Sequence, residues 1–404
     1  MRTDRVVITG MSLLTPLANN LEEFSDGIFE GKNCIGPISS FDTSQHDFKH
    51  GGEIKGFDPK KHFKKLDCED YDRSTQLAVA TSRMAFQMAN IEDGMYDPRK
   101  IGCIFGTTMG NQRTVEKCND MLIGGKCGQA KARIRSFQPN AITSAVAAEL
   151  GLKGVNLVIP TACAAGNYAI GYASDLIKRG KADCVICGGS DAMSRVCYTM
   201  FLRLGAMSPD LCRPFDENRH GMIVSEGAAA LVLESYENAK KRNAKIYAEL
   251  LGYGNSCDAY HVTAPHPEGR GIILALRKAF EHSGVNKSDI EYISAHGTGT
   301  KANDASEAYA LTQFFGEDIK RIPISSIKSM IGHTMGAAAA IEAIASVLVL
   351  NKKQIPVNMN LSNLDPSIGL KVVNRPATAD VKYILSNAFA FGGNISCIIL
   401  KRGE

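Results

Sequence analysis

The chain has 404 residues, 44% of them hydrophobic and 22% charged, which is enough apolar material for a large core and two domain-sized halves. Its 46 basic and 42 acidic residues leave a formal net charge of +4, too even for nucleic-acid binding by bulk charge. Its 12 cysteines are scattered, no secretory segment precedes the first apolar run, and no two cysteines meet two histidines at zinc spacing. The expectation is a cytoplasmic protein with reduced thiols and no metal, nucleic-acid or membrane partner.

Strand and helix signals alternate along the whole chain, which predicts an α/β fold with buried sheets. Apolar strands are expected at residues 6–10, 101–106, 155–159, 183–188, 228–234, 290–294, 322–326 and 395–400. Helices are expected after Thr75, Ala141, Ala164, Gly271, Ala305 and Gly336. Cys184 and Cys187 have redox spacing but sit in an apolar strand, so they read as core. Residues 190–214 look irregular and read as loops over a cleft. The longest apolar stretch, 336–350, is interrupted by Glu342 and falls short of a membrane span, so it reads as a buried helix.

The two ends of this pattern echo each other. Each half has a strand that runs out in glycines, then a strand, a turn and a small-residue helix, first around Cys163 and again around His333. Two similar units, 1–244 and 245–404, are expected to leave a cleft between them.

That cleft would collect the reactive side chains. Cys163 lies between an apolar strand and a helix that starts Ala164-Ala165-Gly166. A helix N-terminus favours negative charge, so the thiol is expected to be acidified into a nucleophilic thiolate; the plainer alternative is a buried apolar filler. His296 ends a strand in the run His296-Gly297-Thr298-Gly299-Thr300, as a site residue or as a histidine bonded within its turn. Lys328 and His333 share one tight turn. The helix dipole is expected to keep His333 neutral, and Lys328 reads as a site residue or a plain surface cation. Phe391-Gly392-Gly393 is a movable loop with an exposed N–H or simply a turn before the last strand, and spacing does not separate the two. A thiolate, two histidines and a glycine loop suit acyl transfer. The thiolate attacks a thioester, backbone N–H groups hold the oxyanion, and two imidazoles on one carbonyl support decarboxylation of a malonyl-type thioester.

The same residues resemble the β-ketoacyl-acyl carrier protein synthases of the thiolase superfamily, over essentially the whole chain. The matching stretches are Thr161-Ala162-Cys163, Arg213-Pro214-Phe215-Asp216, Asp258-Ala259-Tyr260-His261, His296-Gly297-Thr298-Gly299-Thr300, Lys328-Ser329-Met330 with Gly332-His333, and Phe391-Gly392-Gly393. The resemblance is to type II fatty-acid elongating synthases and to type II polyketide ketosynthase subunits. It implies a thiolase fold, duplicated α/β halves in five layers (αβαβα), and a dimer. It implies that Cys163 carries the acyl group, His296 and His333 bind the malonyl thioester oxygen, and Lys328 orders the site. It places Asp304, Glu307 and Glu342 behind that lysine, and Thr298 and Thr300 on the pantetheine arm. Phe391 becomes the gate, its N–H forming the oxyanion hole with that of Cys163. No cofactor is implied for the chain itself, because phosphopantetheine comes on an acyl carrier protein. The partner subunit is a second copy or a related chain-length-factor-like subunit.

Departures from the fatty-acid pattern are Ala390 before the aromatic, no hydroxyl residue in Cys163-Ala164-Ala165-Gly166, and a short 207–212 segment. Lys301-Ala302-Asn303-Asp304 and Ser326-Ile327-Lys328-Ser329 are more like polyketide ketosynthases. The acidic carrier implies a basic docking surface, with Lys60, Lys61, Lys64, Lys65, Lys131, Arg133, Arg135 and Arg203 as candidates, and Thr108, Met109 and Phe137 are expected to set pocket depth. Two other readings compete. A silent chain-length-factor-like subunit would lack Cys163, and a coenzyme A thiolase would need a second reactive cysteine, for which only Cys257 and Cys397 are available.

Overall fold

The computed structural model describes residues 5–92 and 94–403. Eleven strands form one hydrogen-bonded sheet: β1 (Val6–Leu14), β2 (Ile101–Gly106), β3 (Asn156–Ile159), β4 (Cys184–Asp191), β5 (Gly227–Ser235), β6 (Ala248–Cys257), β7 (Tyr292–Ser294), β8 (Pro323–Ser325), β9 (Lys371–Val372), β10 (Tyr383–Phe389) and β11 (Asn394–Arg402). The order is β9-β8-β7-β10-β11-β6-β1-β5-β4-β2-β3. β1, β2, β4 and β5 are buried along their whole length, which is why they read as unbroken apolar or small-residue runs rather than alternating ones.

The order contains the same motif twice. In the first half, β3, β2 and β4 run parallel, and β5 and β1 follow antiparallel. In the second, β8, β7 and β10 run parallel, and β11 and β6 follow antiparallel. The halves join edge to edge where Val6, Val7 and Ile8 of β1 pair with Leu250, Glu249 and Ala248 of β6.

Helices complete five layers. Arg73–Met88 and Ala141–Leu150 cover the outer face of the first half, and Arg270–Ser283 and Lys301–Phe315 that of the second. Between the two sheet sections lie Ala165–Lys178 and Ala338–Lys352, each touching strands of both halves. A Cβ on Gly166 would come within 2.6 Å of the Ala340 backbone nitrogen, so the central helices meet backbone to backbone, and the alanines at 337–340 are what permit it. Within the second helix every residue from Ala338 to Leu350 is buried. The stretch Met335–Lys352 is long and apolar enough to cross a membrane, contrary to the shorter extent read from the sequence, but 89% of it is buried inside the fold.

Further sequence expectations are corrected. β6, β9 and β10 are missing from the expected strands: β6 carries Gly252 and Gly254, β9 is two residues long, and β10 carries Ser386 and Asn387. The glycines are a packing requirement: a Cβ on Gly254 would come 2.0 Å from the Ala275 carbonyl oxygen of the outer helix. Residues 190–214 are not all loop. Arg195–Arg203 is a helix whose start is capped by Ser194, its hydroxyl accepting the Cys197 N–H at 3.1 Å.

Candidate active site

β3 delivers the chain to Thr161, where a single 3-10 turn, Ala162–Ala164, precedes the central helix Ala165–Lys178. Ala162 has φ 49°, a left-handed conformation that a Cβ opposes, and this bend seats Cys163 at the helix start. Cys163 lines a cavity of about 370 Å³ together with His296, His333, Thr298, Thr300 and Phe391. The first half therefore supplies the thiol and the second half both imidazoles.

Those rings are fixed by different means. The His296 loop is held by carboxylates. Glu307 accepts the N–H groups of His296 and Gly297, both at 2.9 Å, and Asn387 Nδ2 at 3.1 Å. Asp304 accepts the N–H groups of Phe215 at 2.8 Å and Gly299 at 3.2 Å. Lys328 is buried, not a surface cation; its Nζ donates to the His296 carbonyl at 2.7 Å, to Glu342, and to His296 Nδ1 at 3.4 Å. These bonds use the three donors of an ammonium group and leave Nε2–H as the proton-bearing nitrogen of a neutral His296. The second oxygen of Glu342 has no partner among the described residues.

His333 is held by backbone. Its Nδ1 accepts the Met335 N–H at 3.1 Å, which again assigns the ring proton to Nε2. Its own N–H donates to the Ile223 carbonyl at 2.7 Å. The two imidazoles meet edge to face, centroids 5.5 Å apart.

Electrostatics agree with the neutrality expected of His333 but not with its expected cause, and make His296 neutral as well. Burial first, and the Lys328 charge second, push both rings well below the ordinary histidine value. Burial likewise raises Glu307 and Glu342 to about 7. The thiol reverses its expectation: burial pushes Cys163 up to about 12, against a smaller opposing pull from Lys328. The resting group is a protonated thiol rather than a thiolate, because desolvation of a buried sulfur outweighs one helix terminus and one lysine.

Other expected residues fall elsewhere. Thr298 and Thr300 bond to each other through their hydroxyls at 2.9 Å on the cavity wall. Phe391 packs on Phe201 with centroids 5.7 Å apart. Thr108, Met109 and Phe137 do not line the cavity; Met109 sits behind it in a cluster with Phe201 and Met222, and Phe137 is at the surface. Of the eight basic candidates, seven are exposed and Arg133 is half-buried; Arg203 adjoins the cavity-lining Leu204, whereas Lys64 and Lys65 border a different pocket. Cys257 ends β6 and Cys397 is buried in β11, neither on the cavity. Lys301, quoted in the sequence only for its likeness to polyketide ketosynthases, also lines the cavity, and the residues the sequence reading gave no role are the apolar wall of Phe201, Met222 and Phe389.

Comparison with known proteins completes this picture. The family description "Beta-ketoacyl synthase, N-terminal domain" matches residues 3–239, and "Beta-ketoacyl synthase, C-terminal domain" matches 247–362. A 3-oxoacyl-[acyl-carrier-protein] synthase 2 from Synechocystis is 38% identical over 98% of this chain and 98% of that protein. Among solved structures, an ishigamide ketosynthase/chain length factor superposes with a TM-score of 0.95 at 38% identity, covering 99% of this chain and all of the other. A type II polyketide ketosynthase, solved with its acyl carrier protein and bound to a hexaketide, superposes with a TM-score of 0.90 at 30% identity, covering 99% and 100%.

Proposed function

The chain belongs to the β-ketoacyl synthase family, with the thiolase fold, and from that premise we propose that it is a condensing acyltransferase working through Cys163, His296 and His333. The observation that carries the reading is that one cavity is lined by a thiol from the first half, 1–244, and two neutral imidazoles from the second, 245–404.

In the loading step the Cys163 sulfur attacks an acyl thioester on a carrier protein. A C–S bond forms to Cys163, the C–S bond to the carrier's phosphopantetheine breaks, and the thiol proton leaves with the carrier sulfur. The N–H groups of Cys163 and Phe391 hold the oxyanion. In the second step a malonyl thioester places its carbonyl oxygen between the Nε2–H groups of His296 and His333. The C–C bond to the carboxylate breaks, carbon dioxide leaves, and the electron pair forms an enolate on that oxygen. Its carbon then attacks the acyl carbonyl, a C–C bond forms, and the bond to Cys163 breaks, leaving a β-ketoacyl group on the carrier and a Cys163 thiolate that takes a proton from water to restore the resting thiol. Neutral rings suit this task, since they donate a hydrogen bond without surrendering the proton. Lys328, Glu342, Glu307 and Asp304 orient His296, and Thr298 and Thr300 take the pantetheine arm. The chain needs no cofactor of its own.

The partners follow from two surfaces. Arg203 and Lys301 at the cavity mouth face the acidic carrier protein. Among the described residues strand β3 has no sheet neighbour on its outer edge, and Leu157 within it and Val155 just before it are more than one-third exposed. An open apolar edge of this kind suits pairing with a second copy or a related chain-length-factor-like subunit in the cytoplasm.

One experiment tests both chemistry and assembly. Native and denaturing mass spectrometry of the protein follow incubation with a series of acyl-carrier thioesters. The expected result is a two-subunit species with one acyl group per intact site, absent from Cys163→Ala. Acylation that persists in Cys163→Ala overturns the assignment of the nucleophile, and a monomer that still takes up the acyl group overturns the pairing.

A further inference from the structure

Asp191 ends strand β4, is fully buried, and does not line the cavity. A carboxylate so placed is costly to bury unless every lone pair finds a donor. Here four donors converge on it. Oδ1 accepts from the Thr107 hydroxyl at 2.7 Å and the Met109 N–H at 2.9 Å. Oδ2 accepts from the N–H groups of Thr108 and Gly336, both at 2.7 Å. Three of these donors belong to the loop after β2 in the first half. The fourth belongs to the turn after His333 in the second. Burial raises this carboxyl to about 6 despite those bonds.

That fourth bond matters because of its neighbour. Consecutive backbone N–H groups leave the turn in two directions: Met335 donates to His333 Nδ1, and Gly336 donates to Asp191. The dihedrals of Met335 relate the two, and Met335 sits at φ 52° with its side chain buried. This is a conformation that relaxes toward negative φ unless both ends are tied. Gly336 allows the approach, since a Cβ there would lie 2.6 Å from the Asp191 carboxylate.

We infer that Asp191 is a positioning residue for the reaction: by anchoring the Gly336 N–H it holds the Met335 N–H on His333 and so keeps the imidazole proton on Nε2, facing the substrate. The inference rests on the functional reading above for its effect on rate, but not for its effect on the ring. Asp191→Asn is the direct variant, because an amide nitrogen at either oxygen position faces at least one backbone N–H.

The test uses the full-length, ¹⁵N-histidine-labelled protein and long-range ¹H–¹⁵N correlation to read the His333 tautomer, alongside decarboxylation of a malonyl-carrier thioester and acyl loading of Cys163. Wild type is expected to show the Nε2–H form. Asp191→Asn is expected to show mixed tautomers and a kcat for decarboxylation lowered about 10- to 100-fold at unchanged KM, as misplacement of a catalytic group does. Loading is expected to stay within about threefold, since Cys163 is held by a different turn and its thiol is influenced less by the Asp191 charge than by burial and Lys328. Thr107→Val, which leaves Asp191 three of its four donors and also removes the acceptor of the Gly110 N–H, is expected to lower the same kcat about threefold, the size of one weak hydrogen bond. An Nδ1–H tautomer in wild type overturns the inference, as does a folded Asp191→Asn, or Thr107→Val where that variant does not fold, with unchanged tautomer and kcat. A tautomer shift in a protein whose wild type does not decarboxylate at all would leave the positioning role standing and defeat the functional reading instead.

Discussion

The turns at Cys163 and at His333 are built on the same backbone plan. Each has a threonine, then a residue with positive φ, then a 3-10 turn that runs into a central helix: Thr161, Ala162 at φ 49° and Ala162–Ala164 in one, Thr334, Met335 at φ 52° and Met335–Ala337 in the other. Where the first turn holds the thiol of Cys163, the second holds Gly336, which has no side chain and gives its N–H to Asp191. Duplication thus supplied one strained bend twice, and the two copies took different tasks. One bend presents a side chain to the cavity; the other uses consecutive N–H groups to lock a ring that arrives from two residues upstream.

The strongest way to break this comparison is to remove the rings. His296→Ala and His333→Ala are each expected to lower kcat/KM for decarboxylation about 10²- to 10³-fold, the loss typical of one donor to a developing oxyanion. Loading of Cys163 is expected to persist in both, because the first half carries that step. If either variant lost loading as severely as condensation, the division of labour between the two turns would be wrong. The double variant is expected to be little worse than either single one, since the rings act on one oxygen.

The thiol sharpens the contrast in a second way. With its value near 12, the thiolate fraction of Cys163 should rise about tenfold per pH unit through the neutral range. Iodoacetamide labelling of Cys163, followed by mass spectrometry, is therefore expected to speed up about 100-fold between pH 7 and pH 9 without reaching a plateau. A flat profile would mean that the helix start acidifies the sulfur after all, and that the bend is an electrostatic device as well as a geometric one.

Much of this site was readable from the chain. Cys163, His296, His333 and Phe391 are flanked by small residues that only close packing or a bend requires, and those flanks survive as signals in one dimension. What stayed hidden depends on contacts between distant segments. The thiol state follows from enclosure by both halves, which no local run encodes. β6 was masked by Gly252 and Gly254, whose reason is the helix Arg270–Ser283 lying against them. Asp191 left a faint trace, an acid closing an otherwise apolar and glycine-rich strand, but its donors come from positions 107–109 and 336. Glu307 and Glu342 were placed near the lysine, yet the N–H groups that Glu307 accepts are set by the fold of the His296 loop.

The smallest expected effects probe the shared bend itself, by chemical denaturation. Met335→Ala keeps a positive φ but empties a buried site, and should cost about 2–5 kcal/mol. Gly336→Ala should cost about 1–3 kcal/mol, because its Cβ would lie 2.5 Å from the Thr107 Cα and 2.6 Å from Asp191. Ala162→Gly should change almost nothing. Relieving a left-handed alanine returns about 1 kcal/mol, and the freer unfolded chain takes back about 0.4–1 kcal/mol. The half-buried methyl contributes little packing to set against either term. A loss above about 1.5 kcal/mol in Ala162→Gly would mean that the methyl group supports the thiol turn as the Met335 side chain supports its counterpart, and the two bends would then differ less than their chemistry suggests.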